Sequence, residues 1–232
     1  NPQAILKHKG IIANPNCSTI IMVMALKPIY DLAKIKRVIV STYQAVSGAG
    51  KEGIDELDAQ VRDHSEGREM TANILPSASA EKHYPIAFNL IPQIDVFCDN
   101  LYTKEEMKMV NETKKIMEDY EMRITATTIR VPVYRSHSES VNIELEKEVD
   151  LGAMREALAK FPGVTVQDDP SKQEYPMPLY TSEKDDVYVG RLRRDESCEK
   201  SYNMWVVGDQ IRKGAALNTL QIAETMIKNG WI

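Results

Sequence analysis

The apolar positions fall into two periods. Residues 17–34 carry an almost unbroken apolar run at Ile20, Ile21, Met22, Val23, Met24, Ala25 and Leu26. That pattern predicts a helix buried on most sides, with Pro28 kinking it or tightening a turn. Residues 37–43 are β-branched and predict a buried strand. A Gly/Ser loop at 47–53 then leads into a charged helix at about 54–66. Residues 86–102 read as strand-like pieces broken by Pro85 and Pro92. Thr103 with Glu106 forms a capping-box pattern that opens a helix from Lys104 to about Tyr120. Residues 122–134 and 140–147 alternate as strands, joined by a short connection at 135–139. A helix near 151–160 ends at Pro162-Gly163. Short strands follow at 164–167, 187–193 and 203–207. A closing helix spans about 214–228, apolar at Leu217, Leu220, Ile222, Ala223 and Met226.

Strands stand beside strands more often than they alternate with helices. The predicted fold class is therefore α+β, with a mixed, largely antiparallel sheet packed with helices. A chain of 232 residues fits one large domain or one and a half ordinary ones. Its 34 acidic and 29 basic side chains are interspersed, with a net charge of −5. That distribution argues against a nucleic-acid footprint or a polybasic membrane anchor. The longest apolar run, Ile20 to Leu26, is too short for the roughly 20 residues of a membrane span. The N-terminus Asn-Pro-Gln-Ala has no basic region leading into an apolar stretch, so no signal peptide is expected. Because the chain does not begin with Met, a processed product or a fragment is expected.

Three cysteines, Cys17, Cys98 and Cys198, are an odd number without metal-ligand spacing. Neither a disulfide framework nor a zinc site is expected, and reduced cytoplasmic thiols are the default. Each is then a core filler or a nucleophile. Cys17 has a special setting in Asn14-Pro15-Asn16-Cys17-Ser18-Thr19. Asn16 is a good N-cap, so Cys17 falls in the first helical turn, where free N–H groups stabilise a thiolate or an oxyanion. A buried structural cysteine is the competing reading.

His137, between Ser136 and Ser138, is expected in the turn between two strands, either as a mobile, partly exposed acid/base or as a solvated loop histidine. Arg130 sits mid-strand in an apolar alternation and needs an anion to face, whether a structural carboxylate or a substrate anion. Glu105 and Lys108 share a helix face, either solvated or functional. Gln44 follows a strand end, a place where both loop polar residues and functional groups occur. Gly48-x-Gly50-x-x-Gly53 matches a dinucleotide fingerprint, but no clear βαβ unit with an acidic strand end follows it. A turn close to a ligand is the preferred reading.

The stretches NPNCST, STYQAVSGAGKEG, HYPIAFNLIPQID, YTKEEMKM, IRVPVYRSHSES and VVGDQIRKGAA occur in this order across the chain. With them the chain closely resembles the bacterial aspartate-β-semialdehyde dehydrogenase family. The resemblance implies NADPH-dependent reductive dephosphorylation of L-4-aspartyl phosphate to L-aspartate 4-semialdehyde and phosphate. That reaction feeds lysine (through diaminopimelate), threonine and methionine synthesis. It implies Cys17 as nucleophile, His137 as acid/base and Gln44 as the group orienting the acyl intermediate. Arg130 would bind the substrate carboxylate, Glu105 its amino group, and Asn16 and Lys108 the phosphate. Ser47, Gly48 and Gln210 would contact NADP, and no metal is implied. The family forms homodimers, sometimes tetramers, in the cytoplasm.

Family members also begin with a Rossmann domain, which has no counterpart here. Residues 1–16 are accordingly expected to be the end of that domain, 17–212 the catalytic and dimerisation domain, and 213–232 a helix that packs on it. The cofactor would be held mainly by that domain, and the 214–228 helix would expose an apolar face. A related acyl-phosphate reductase of the N-acetylglutamyl-phosphate type, and a dimerisation module inactive by itself, remain as alternatives.

Overall fold

The computed structural model describes all 232 residues. Helix α1 runs Cys17–Leu32 and strand β1 Ile35–Gln44; after a 3-10 turn, α2 spans Lys51–Ser65. Helix α3 covers Lys104–Met117, β2 Arg123–Arg130 and β3 His137–Leu145. Then come α4 (Leu151–Lys160), β4 (Val164–Val166), α5 (Pro178–Thr181), β5 (Val187–Arg194), β6 (Ser201–Gly208) and α6 (Leu217–Lys228).

The six strands form one sheet in the order β2-β1-β3-β6-β5-β4. The β1–β2 and β4–β5 pairs are parallel and the other three are antiparallel. The mixed α+β class read from the sequence is the fold observed. Alternation puts Val141, Ile143 and Leu145 of β3 on one face, against Ile21, Met22, Ala25, Leu26 and Ile29 of α1. Helix α1 is apolar nearly all round because it also packs against α3 and α4. On the opposite face the Tyr43 and Trp205 rings pack at a tilt of 47°, with centroids 5.5 Å apart.

One expectation fails for a reason that lies outside the local sequence. Residues 86–102 form no strand, only isolated bridges at Ile91–Arg130 and Phe97–Thr103. Prolines remove ladder donors here, and side chains of α2 take over the pairing. Gln60 Oε1 accepts the N–H groups of Ile86 and Ala87, and the Glu56 carboxylate accepts those of Asn73, Ile74 and Leu75. Above them Val46, Leu57, Leu75, Ile86, Ala87 and Ile91 close a second, small core.

The sequence left strand order open, and β2 and β3 do not pair with each other. β1 lies between them, parallel to one and antiparallel to the other. The connection 131–136 must therefore step across the end of β1, and Val46 N–H donates to Val133 O at 2.8 Å as it does so. This step brings the ends of β1 and β2, the start of β3 and the end of β6 to one edge of the sheet.

Candidate active site

Asn16 caps α1 as the sequence implied: its Oδ1 accepts the Thr19 N–H at 3.1 Å. Cys17 is the first residue of the helix and is half-buried. Its Sγ lies 3.4 Å from His137 Nε2. His137 is not in a turn and not exposed. It is the first residue of β3 and wholly buried, because the connection ends at Ser136 and β6 pairs with β3 from His137 onward. Its Nδ1 accepts the Ala45 N–H at 3.1 Å, which places the ring proton on Nε2, facing the sulfur. Burial first, then the Arg130 charge, hold its pKa well below the ordinary histidine value, so the ring is neutral near pH 7.

The helix N-terminus does not win at Cys17. Burial, followed by the charge of Glu105, pushes the thiol up to about 12, against hydrogen bonds from Ser18 and the charge of Arg130. The expected ready-made thiolate is therefore corrected to a protonated thiol in this state.

Arg130 ends β2 rather than sitting mid-strand, since the chain leaves the sheet at Val131 to cross β1. It is buried, donates from Nη1 to Ala45 O at 2.7 Å, and has no hydrogen bond at Nε. No carboxylate forms an ion pair with it, which overturns the structural salt bridge as its explanation. The nearest acidic influence on it is the charge of Glu105, which opposes the effect of burial without forming an ion pair.

Helix α3 supplies the polar wall. Glu105 is buried, not solvated: it accepts from Asn16 Nδ2 at 2.8 Å and from Gln44 Nε2 at 3.2 Å. Lys108 Nζ lies 3.5 Å from Glu105 and 3.2 Å from Asp95, with its side chain 45% exposed. It thus stands at the mouth of the group and touches neither Cys17 nor His137.

Ser47, Gly48 and Gln210 close the other side. Gln210 Nε2 donates to Ser47 Oγ, and its Oε1 accepts the Ser136 N–H at 2.9 Å. A Cβ on Gly48 would lie 2.7 Å from Arg130 Nη1 and 3.3 Å from His137 Cε1, so any larger residue here would displace the Arg130 guanidinium. This glycine run does follow β1, open α2 and lead to a parallel neighbour, β2. That neighbour ends in Arg130, where a dinucleotide fold needs an acidic residue.

Several participants carried no local signal. Gly214 packs against Cys17, and a Cβ there would lie 3.0 Å from Cys17 Cβ, close enough that the cysteine would have to give way by a few tenths of an ångström. Lys213 is buried on Asn218 and Gln221, with its pKa lowered by burial. Asp209 is buried and accepts from the Glu183, Ile211 and Arg212 N–H groups and from Arg135. No three His, Cys, Asp or Glu side chains converge as a metal site would require.

Residues 26–213 match the family described as semialdehyde dehydrogenase, dimerisation domain. The chain belongs to the semialdehyde dehydrogenase family. It is 54% identical over its whole length to an aspartate-semialdehyde dehydrogenase of Aquifex aeolicus, covering 67% of that protein. It is 51% identical to the Bacillus subtilis enzyme of the same name, over 98% of this chain and 66% of that one. Among solved structures, aspartate semialdehyde dehydrogenase II of Vibrio cholerae complexed with ASA superposes with a TM-score of 0.92. That pair is 45% identical, and the match covers 98% of this chain and 66% of the other. This semialdehyde dehydrogenase chain thus spans about two thirds of the length of these relatives.

Proposed function

We propose that the protein performs the cysteine chemistry of an aspartate-semialdehyde dehydrogenase, in amino-acid biosynthesis. The observation that carries this reading is the 3.4 Å approach of Cys17 Sγ to His137 Nε2, beside a buried Arg130 with which no carboxylate pairs within hydrogen-bond reach. In the proposed direction the Cys17 sulfur attacks the carbonyl of L-4-aspartyl phosphate. The S–C bond forms, the C–O bond to phosphate breaks, the thiol proton leaves with the phosphate, and a thioester remains on Cys17. Asn16 and Lys108, at the mouth, receive the phosphate. Arg130 takes the substrate carboxylate through its fork of donors. Glu105, an acceptor already gathering amide donors, takes the amino group, and Gln44 fixes the acyl carbon between them. Nε2–H of His137 faces the sulfur, so an acyl group on Cys17 brings its oxygen beside that proton; His137 donates it to the oxygen as charge develops there and takes it back as the thiolate leaves.

The neutral Ser47–Gly48–Gln210 wall suits the nicotinamide end of NADP: an amide and a hydroxyl beside a glycine that leaves the surface flat. When bound, the cofactor supplies the hydride that reduces the thioester. Its phosphates require a further domain, preceding residue 17, so residues 1–16 are read as the end of that domain and 213–232 as a helix packing on it. A homodimer is expected from the dimerisation-domain family. Glu105 with Arg130 favours a substrate with both amine and carboxylate over an N-acetylated one.

The test is turnover of the protein joined to its cofactor domain. Cys17→Ser is expected to lose orders of magnitude while still folding. His137→Gln should lower kcat with little change in KM, and Arg130→Lys should chiefly raise KM because Lys lacks the bidentate fork. Near-normal turnover of the serine variant, or one kinetic signature for the other two, would sink these roles.

A further inference from the structure

Helix α3 presents a third side chain to the start of α1. Glu105, Lys108 and Glu112 are spaced three and four apart, on one face of α3. Glu112 Oε2 accepts the backbone N–H of Asn16 at 2.7 Å. Asn16 is the N-cap of α1, and its own side chain already accepts from Thr19, the third residue of the helix.

In a complete capping box the third helical residue is a glutamate or glutamine that reaches back to the N-cap N–H. Here that position is Thr19, whose hydroxyl instead donates to Asn16 Oδ1, at 3.3 Å. The returning bond comes from another helix. We propose that Glu112 is a positioning residue for Cys17: it completes the cap of α1 in trans and so fixes the backbone turn that presents the thiol to His137. Asn16 is thereby held at three points, by Thr19, Glu105 and Glu112, immediately before the residue whose sulfur must stay near His137 Nε2. Thr103 with Glu106 shows the same box made within one helix, at the start of α3. The difference lies in the sequence: Thr19 cannot do what Glu106 does.

This inference rests on Cys17 being the reactive thiol. Glu112→Gln and Glu112→Ala remove the same charge, but only the glutamine keeps an oxygen for the Asn16 N–H. The measurement is alkylation of the folded 232-residue chain by iodoacetamide across a pH series, with each of its three cysteines followed by peptide mass. At every pH Cys17 should react roughly tenfold more slowly in E112A than in E112Q, the scale of one hydrogen bond to a charged or polar partner. Equal Cys17 rates in the two variants overturn the proposal: if both match wild type, Glu112 has no role, and if both shift together in pH midpoint, only its charge acts. A lower melting temperature in E112A with unchanged Cys17 reactivity makes Glu112 merely structural and likewise overturns it. Should E112A fail to fold, Glu112→Met keeps the side-chain length without an acceptor and is compared in its place. Failure of the underlying reading is distinct, since Cys98 or Cys198 would then be the thiol protected by substrate in the unmodified protein.

Discussion

His137 accepts the Ala45 N–H at Nδ1, and that one bond decides which way its own proton points. The same economy governs Glu139, two residues further along β3 on the face beneath α1. It sits between Thr42 and Val206, fully buried, with neither carboxyl oxygen hydrogen-bonded. Burial holds its pKa well above the ordinary carboxylate range. In the unfolded chain it releases its proton near about 4.3. Above that pH the native state binds more protons than the unfolded one, so stability falls as pH rises toward the raised folded value. Glu139→Gln removes this titration. The variant is expected to melt higher than the parent at neutral pH, with the gap closing as pH falls to about 4. Calorimetric melts at both ends decide it; a gap independent of pH would mean that Glu139 keeps its charge in the fold. His137 runs the other way. Its depressed folded pKa gives stability that is full above about 6.5 and is lost as pH falls below it.

At the scale of elements, α3 fastens the sheet to the site. Glu106 closes its own cap by accepting the Thr103 N–H at 2.8 Å, and its second oxygen accepts the Thr128 N–H of β2 at 3.0 Å. Glu106→Ala leaves two buried donors without partners and is expected to cost about 2–4 kcal/mol. Glu106→Gln retains at least one acceptor and should cost less. Chemical denaturation of the pair measures the difference, and equal losses would show that charge rather than hydrogen bonding matters. The local half of this arrangement was legible in the sequence: Thr103-x-x-Glu106 and the Asn16 cap are read within four residues. What was not legible depends on partners far along the chain. His137 is buried because β6 pairs with it 71 positions later, at Gly208. Residues 86–91 lose their strand character to Gln60, and Arg130 ends its strand because β1 blocks the way. Periodicity reports which face is apolar, but not which neighbour will cover it.

For the molecule as a whole, the expected apolar face of the last helix is present: Leu220 is 62% and Ile227 65% exposed. Its glycine-rich turn is committed elsewhere. Gly48 lies against Arg130 and His137, and a Cβ on Gly53 would meet Val46 O at 2.5 Å, so neither is open to a pyrophosphate. The 232-residue chain is accordingly expected to bind NADP more weakly than about 1 mM, a few contacts at the nicotinamide end gaining little after ordering costs. Isothermal calorimetry checks this, and a micromolar dissociation constant would make the 48–53 turn a dinucleotide site after all.

The crossing of β1 by residues 131–136 has a bearing on the life of the newly made chain. Sulfur and imidazole come from positions 120 residues apart, and the histidine is seated only when β1, β2, β3 and β6 have all found their neighbours. Pairings so distant in sequence form late. A half-folded copy thus holds its cysteine without the partner that turns it to chemistry, and reactivity arrives with the finished sheet.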